Sequence, residues 1–299
     1  GYGAGYWTTT GSANVFIGLV AGARSTGLTT GSSNIAVGRL ALNQYTTGSY
    51  NSVFGRSALG GNKTGNHNTV LGYFASLYNV AATTTVAIGS YSSYGAAVNY
   101  SNQGGTTVGY QSGYSFQTGS HYNTLIGYDA GYNITTGQYN TYLGSFGTSG
   151  GVTTGSNNIL IGQDVRSGLT VTASNQLNVG NLIFGTGLGS AATLSTGKVG
   201  IGTSTPNQKL GIFASAADSA IEFSTVSGAA EKWTVGIDDS DAAKFKISSS
   251  SALGTNDRFV INGSGYVGIG DSTPTGLLTV GASDNFVINT SGVITSSDN

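Results

Sequence analysis

The sequence predicts an all-β chain: a parallel β-roll or β-solenoid of about ten coils, followed by small antiparallel β modules. Three observations carry this. First, one phrase recurs, as "TTGSANVFIG" from Thr9, "TTGSSNIAVG" from Thr29, "TTGSYNSVFG" from Thr46, "TTGQYNTYLG" from Thr135 and "TTGSNNILIG" from Thr153. Repetition at a short fixed period marks units that cannot bury an apolar face alone and stack on their neighbours. Second, 299 residues hold 50 glycines, 17 tyrosines and 11 phenylalanines but only 8% charged residues, too aromatic and too weakly charged for a disordered chain. Third, the composition changes along the chain: sixteen of the seventeen tyrosines precede residue 145, and ten of the twelve carboxylates follow residue 210. This shift places a boundary at 181–196.

The glycine closing each phrase anchors one coil: Gly18, Gly38, Gly55, Gly72, Gly89, Gly109, Gly127, Gly144, Gly162 and Gly180, at intervals of 17 to 20 residues. A strand is expected over the three residues before each anchor. The last of these is always apolar, from Ile17 to Val179, and the first is mostly β-branched. Two apart on a strand, they share a face, which this reading assigns to the inside of the coil. The residue between them then faces outward, yet it too is mostly apolar: Phe16, Val53, Val70, Leu125, Tyr142 and Leu160. A strand apolar on both faces is covered on both. The expected cover is identical ladders around a shared axis, making these six an inter-subunit column of a homo-oligomer.

Four residues before the anchor stands asparagine in seven of the ten copies: Asn14, Asn34, Asn51, Asn68, Asn123, Asn140 and Asn158. At a rung spacing of about 4.8 Å such side chains form an amide ladder, each carboxamide donating to the next. The preceding Thr-Thr-Gly supplies a turn, its glycine expected at positive φ. Three residues after the anchor, small side chains such as Ala21, Ala41, Ala58 and Ala75 let the next segment run close to the core. Ten rungs make a rod of about 48 Å. Gly1 lies 17 residues before Gly18, so an earlier coil or a partner chain is expected ahead of it.

Past the boundary, "GKVGIGTSTPNQKL" from Gly197 and "GYVGIGDSTPTGLL" from Gly265 are near-copies holding the only two prolines, and "RFVINGSG" from Arg258 is echoed by "NFVINTSG" from Asn285. The alternating runs "AIEFSTVSG", "EKWTVGIDD" and "KFKISSSS" between them predict a small antiparallel module at 197–274, bracketed by VGIG connectors, with a further module or distal end at 275–299.

The Asn-x-x-x-Gly coils with alanine three later, over residues 1–180, resemble the head of trimeric autotransporter adhesins, which implies a trimer of left-handed parallel β-rolls. The run "EKWTVGIDDSDAAKFKIS" and then "RFVINGSGYVGIGDSTP", within residues 197–280, resembles the distal modules of bacteriophage tail fibres. Both resemblances imply a homotrimeric, extracellular fibre used for attachment to a host surface glycan or protein receptor.

Candidate chemistry is sparse. A net charge of -1 with scattered basic residues excludes a nucleic-acid footprint. No apolar run reaches the ~18 residues of a membrane span, and no signal peptide opens the chain. With neither Cys nor Met, disulfides are excluded, and a mature product or a piece of a longer chain is expected. "GYGAGY" at Gly1 and "GTGLGS" at Gly185 are turns rather than phosphate loops. His67 and His121 have no clustered ligands beside them. Asp129 and Asp164, two residues after their anchors but two coils apart, are weighed as a glycosidase pair and set aside. The run Asp238, Asp239 and Asp241 lacks the spacing of a Ca²⁺ loop. No catalytic residue, cofactor or metal is assigned. Tyr2, Tyr73, Tyr110 and Tyr128 each follow an anchor, and of these Tyr73, Tyr110 and Tyr128 are the candidate receptor contacts, with Tyr6, Tyr94, Tyr114 and Tyr132 in a second column. The expected function is a non-catalytic attachment fibre, a virion tail fibre or cell-surface appendage. The alternatives are a filament polymerised end to end, a glycan-depolymerising tailspike and an ice-binding solenoid.

Overall fold

The computed structural model describes residues 1–23, 28–96, 99–148, 151–165, 170–189, 196–224, 232–281 and 286–296. Residues 190–195 of the expected connector, the end of "AIEFSTVSG", Glu231, Asn285 and Asn299 lie outside them. The chain forms two units, Gly1–Gly211 and Ile212–Asn299.

Ten three-residue strands occupy the predicted positions: β1 (Val15–Ile17), β2 (Ile35–Val37), β3 (Ser52–Phe54), β4 (Thr69–Leu71), β5 (Val86–Ile88), β6 (Thr106–Val108), β7 (Thr124–Ile126), β8 (Thr141–Leu143), β9 (Ile159–Ile161) and β10 (Leu177–Val179). They pair in parallel and in register, Val53 opposite Val70 and Leu125 opposite Tyr142, so each coil adds one rung. The ladder is a parallel β-solenoid. It then turns back on itself: β11 (Ile183–Gly185) is antiparallel to β10, β12 (Val199–Ile201) is antiparallel to β11, and β13 (Leu210–Ile212) ends the sheet. The first compact unit thus extends beyond residue 180, and the first VGIG copy is a strand of this sheet, not a connector.

The side-chain alternation reverses the sequence expectation. The middle residue of each rung points inward: Val53, Val70, Leu125 and Leu160 are fully buried and Tyr142 nearly so, while Phe16 packs against the same core. The column expected between subunits is the interior of the coil itself. The flanking columns face out, with Ile17, Ile35, Phe54, Leu71, Ile126 and Ile161 exposed. Period two fixes which residues share a face but not which face is inside. The small residues after the anchor settle that point physically: Ala41, Ala58, Ala75 and Ala130 are fully buried and leave room for one inward strand side chain per coil. Thr107, polar at this position, is hydrogen-bonded inside the coil, its Oγ1 accepting from Ser92 Oγ at 2.7 Å.

Stacking is tight at two glycine columns, for different reasons. Gly72 has φ +144°, and a Cβ there would lie 2.6 Å from the carbonyl carbon of Gly89 in the next coil. The Thr-Thr-Gly glycines are not at positive φ. At Gly48 a Cβ would meet the Gly65 carbonyl oxygen at 2.6 Å, so close approach is what requires glycine there. The left-handed residue falls two later, on Ser33, Tyr50, His67 and Tyr139.

In the second unit eight strands follow in sequence order: β14 (Ser219–Ser224), β15 (Lys232–Asp238), β16 (Lys244–Ser248), β17 (Asp257–Ile261), β18 (Val267–Ile269), β19 (Leu278–Val280), β20 (Phe286–Ile288) and β21 (Ile294–Ser296). The pairs are antiparallel except β18–β19. The second VGIG copy is β18, within the sheet, and β19, β20 and β21 continue that sheet. Among the described residues of this unit the buried apolar side chains are Leu253, Val260 and Pro274.

Candidate functional site

Two features of the solenoid bear on function: what holds the coils in register and what their surface presents. Register rests on the asparagines. Asn34 Nδ2 donates to Asn14 Oδ1 at 3.1 Å and to the Gly48 carbonyl at 2.9 Å, and the Asn34 backbone N–H donates to the same Asn14 Oδ1 at 2.9 Å. Asn51 and Asn68 repeat the pattern, and Asn68 Oδ1 ends the run by accepting from Thr85 N–H at 2.9 Å. Thr85 and Gly105 interrupt the column. It resumes at Asn123, Asn140 and Asn158 and is continued by Gln176. A second amide contact joins Asn79 to Asn102 inside the coil. No sequence signal marked that pair, because neither residue stands at the repeat's asparagine position.

The tyrosines gather on the middle coils. Tyr94, Tyr114 and Tyr132 stack with centroids 5.0 and 4.8 Å apart, the second pair at 2°. Tyr110 and Tyr128 stack at 5.3 Å and 20°, while Tyr73 meets Tyr91 edge-on at 5.4 Å. Arg56 lies 5.5 Å from the Tyr73 ring centre. Tyr73, Tyr110 and Tyr128 are all exposed, as the sequence reading requires of receptor contacts. Stacked at the rung spacing, however, the rings of Tyr110 and Tyr128 turn their faces to each other and offer solvent their edges and hydroxyls. Burial, together with neighbouring phenols, holds the Tyr91, Tyr94 and Tyr132 hydroxyls above their ordinary pKa.

The two histidines are absorbed into this scaffold. His67 stacks on Tyr50 at 4.9 Å and 3°, and His121 Nδ1 accepts from the Gln103 N–H at 3.1 Å. Of the carboxylates weighed as a pair, Asp129 is buried and Asp164 exposed. Asp129 Oδ1 and Tyr142 Oη, both buried without a hydrogen-bond partner, line one cavity of about 10 Å³, room for a single water. Burial pushes the Asp129 carboxyl up.

In the second unit the acidic run closes on a lysine. Asp239–Asp241 form one 3₁₀ turn capped by Asp238. Lys246 Nζ, almost fully buried, lies 2.8 Å from Asp238 Oδ2, 2.6 Å from Asp241 Oδ2 and 3.2 Å from Asp257 Oδ2. An ammonium thus takes the centre that a cation would occupy. Burial works against the charge on Asp238, but the hydrogen bonds from Lys246 and Ser240 outweigh it and hold the carboxyl below its ordinary range. Hydrogen bonds from Lys246 and Lys244 lower Asp241, and the three carboxylates raise Lys246 despite its burial. The alternation of "KFKIS" puts Lys246 on the face opposite Phe245 and Ile247, which reads as solvated, so it gave no signal of this buried centre.

The fold and its repeat define the class: the chain is an all-β, β-solenoid repeat protein. No protein-family model matches it, and no curated protein matches it.

Proposed function

We propose that the chain is a segment of an extracellular homotrimeric attachment fibre, a virion tail fibre or cell-surface appendage whose role is mechanical and adhesive rather than catalytic. One observation carries this reading: strands of both units present large apolar side chains to solvent. In the solenoid these are the outward columns Ile17, Ile35, Phe54, Leu71, Ile126 and Ile161; in the second unit, Ile221, Phe223, Trp233 and Ile237. Parallel sheets are ordinarily covered on both faces, and contiguous apolar patches of this kind mark association. Because the columns repeat coil after coil, the cover that fits them is another copy of the same ladder. The inter-subunit contact is thus carried by the residues on either side of the one expected from sequence.

Exposed tyrosines on the middle coils supply a surface for receptor contact, Tyr73, Tyr110 and Tyr128 among them. The test is the mass of the purified chain in solution by sedimentation equilibrium. Three times the chain mass is expected. A monomer that stays soluble with these columns bare overturns the proposal.

A further inference from the structure

The middle coils hold exposed phenols in pairs, one coil apart. Tyr110 and Tyr128 stack at 5.3 Å and 20°, and Tyr122 and Tyr139 at 5.1 Å and 14°. All four are between 41% and 56% exposed. We infer that each pair is a site of oxidative cross-linking. Under a one-electron oxidant, a peroxidase acting on hydrogen peroxide, the two rings couple to an intrachain dityrosine that staples adjacent coils.

Composition directs oxidation to these rings. Thiols and thioethers ordinarily absorb oxidants first, and the 299 residues contain no Cys and no Met. The oxidisable side chains that remain are 17 tyrosines and 2 tryptophans. In the reaction each phenol gives up one electron and its hydroxyl proton. The two phenoxyl radicals then join ortho carbon to ortho carbon, and the hydrogens on those carbons move to the oxygens as the rings become aromatic again. Two hydrogens are lost in all, and they reduce one hydrogen peroxide to two waters.

The backbone supplies proximity. Gly127 N–H donates to the Val108 carbonyl at 2.8 Å and Asp129 N–H to the Tyr110 carbonyl at 2.9 Å, which clamps Tyr128 over Tyr110. Tyr139 N–H donates to the His121 carbonyl at 3.2 Å and Asn140 N–H to Asn123 Oδ1 at 2.9 Å, which holds the second pair in the same way. A partner fixed at this distance behaves as if highly concentrated, so coupling within the chain outruns coupling between chains. Exposure supplies the remaining requirement. Stacked rings must swing to bring two ortho carbons together, and exposed side chains change rotamer in ps–ns. Tyr114 and Tyr132 stack more closely, at 4.8 Å and 2°, but are half-buried and lack that freedom. Each pair lies within one chain, so the inference does not rest on the fibre reading.

The test treats the full-length chain with peroxidase and hydrogen peroxide, with untreated chain as the control. Dityrosine emission is followed, and the joined fragments are identified by mass spectrometry after proteolysis. Fragments linked through Tyr110 and Tyr128, and through Tyr122 and Tyr139, are expected, each lighter by two hydrogens than its separate parts. Treated chain should run as a single chain on a denaturing gel and unfold at higher urea than the control. Tyr110→Phe is expected to remove the first link and Tyr139→Phe the second. Both substitutions keep the exposed ring and the stack, and the double variant should lose the gain in urea. The inference is overturned if no dityrosine forms, if the emission is unchanged in the double variant, or if the links join Tyr114 to Tyr132 instead. Covalent dimers in place of linked fragments within one chain would overturn it as well.

Discussion

Asn51 shows how much one residue of the repeat carries. Its Nδ2 donates to Asn34 Oδ1 at 2.9 Å and to the Gly65 carbonyl at 3.1 Å, while its Oδ1 accepts from the backbone and side chain of Asn68 at 3.1 and 2.7 Å. Removing a buried hub strands several partners at once, and each unsatisfied group costs about 1–3 kcal/mol. Asn51→Ala is therefore expected to destabilise the solenoid by about 3 kcal/mol in urea unfolding, and Asn14→Ala, only half-buried at the start of the ladder, by less. Glycine anchors divide in the same way by position. At Gly72 an added methyl meets backbone that cannot move aside, so Gly72→Ala is expected to cost at least about 4 kcal/mol. At Gly180, with φ +61° and open space around it, only the left-handed strain of about 1 kcal/mol remains. Asp129 runs the other way. Its folded pKa is raised, so its contribution is complete below the unfolded value of about 4 and is lost as pH rises through the folded one. Asp129→Asn should raise the melting temperature at pH 7, with the gain shrinking toward pH 4; an unchanged difference across that range would refute the assignment.

At the scale of the element, one rung of the solenoid was almost wholly legible. The glycine period placed all ten strands to the residue, and the asparagine column named the side chains that join them. Orientation was not legible from alternation alone, because Phe54 and Val53 are both apolar and a three-residue strand gives no second turn of the pattern to weigh. A signal lay outside the strand, in the small residues after the anchor: Ala58 is fully buried in the same cluster as Val53, while Phe54 is exposed. Likewise the Thr-Thr-Gly turn was recognised for the wrong cause: packing against the next coil, not φ, selects Gly48. In the second sheet the strands β15, β16 and β17 are tied by Lys246, a centre that no local spacing announces because Asp238 and Asp257 reach it from different strands. Asp238 and Asp241 have lowered pKa values, so their contribution is present above about pH 4 and lost as pH falls through the folded values. The second unit is therefore expected to melt at lower temperature as pH falls from 4 to 2. In Lys246→Met that acid slope should flatten, while stability at pH 7 falls by about 3–5 kcal/mol because buried carboxylates lose their counter-ion. A slope equal in both chains, read by calorimetry, would show that other groups set it.

For the whole molecule, the limiting quantity is apolar area without a cover. The solenoid has its own interior in two clusters, one around Tyr45, Val53 and Val70 and one around Phe116, Leu125 and Ile134. Among its described residues the second unit has no comparable interior: Phe223 and Trp233 pair across β14 and β15 with both rings exposed, Phe223 at 60%. A domain is stable when a sheet buries its apolar face against another layer, and here that layer has to come from elsewhere. If copies of the chain provide it, folding and association are linked, and the melting temperature must rise with protein concentration. Phe223→Asp places a charge on that face and should abolish the concentration dependence of the second unit's transition and lower its midpoint. The solenoid's transition, which has its own core, should move far less. Burying one phenylalanine in each of several chains is worth about 1.5–3 kcal/mol per chain, enough to be read as a shift of several degrees. A second-unit transition independent of both concentration and Phe223 would mean that this sheet stands alone, and the fibre reading would lose its physical basis.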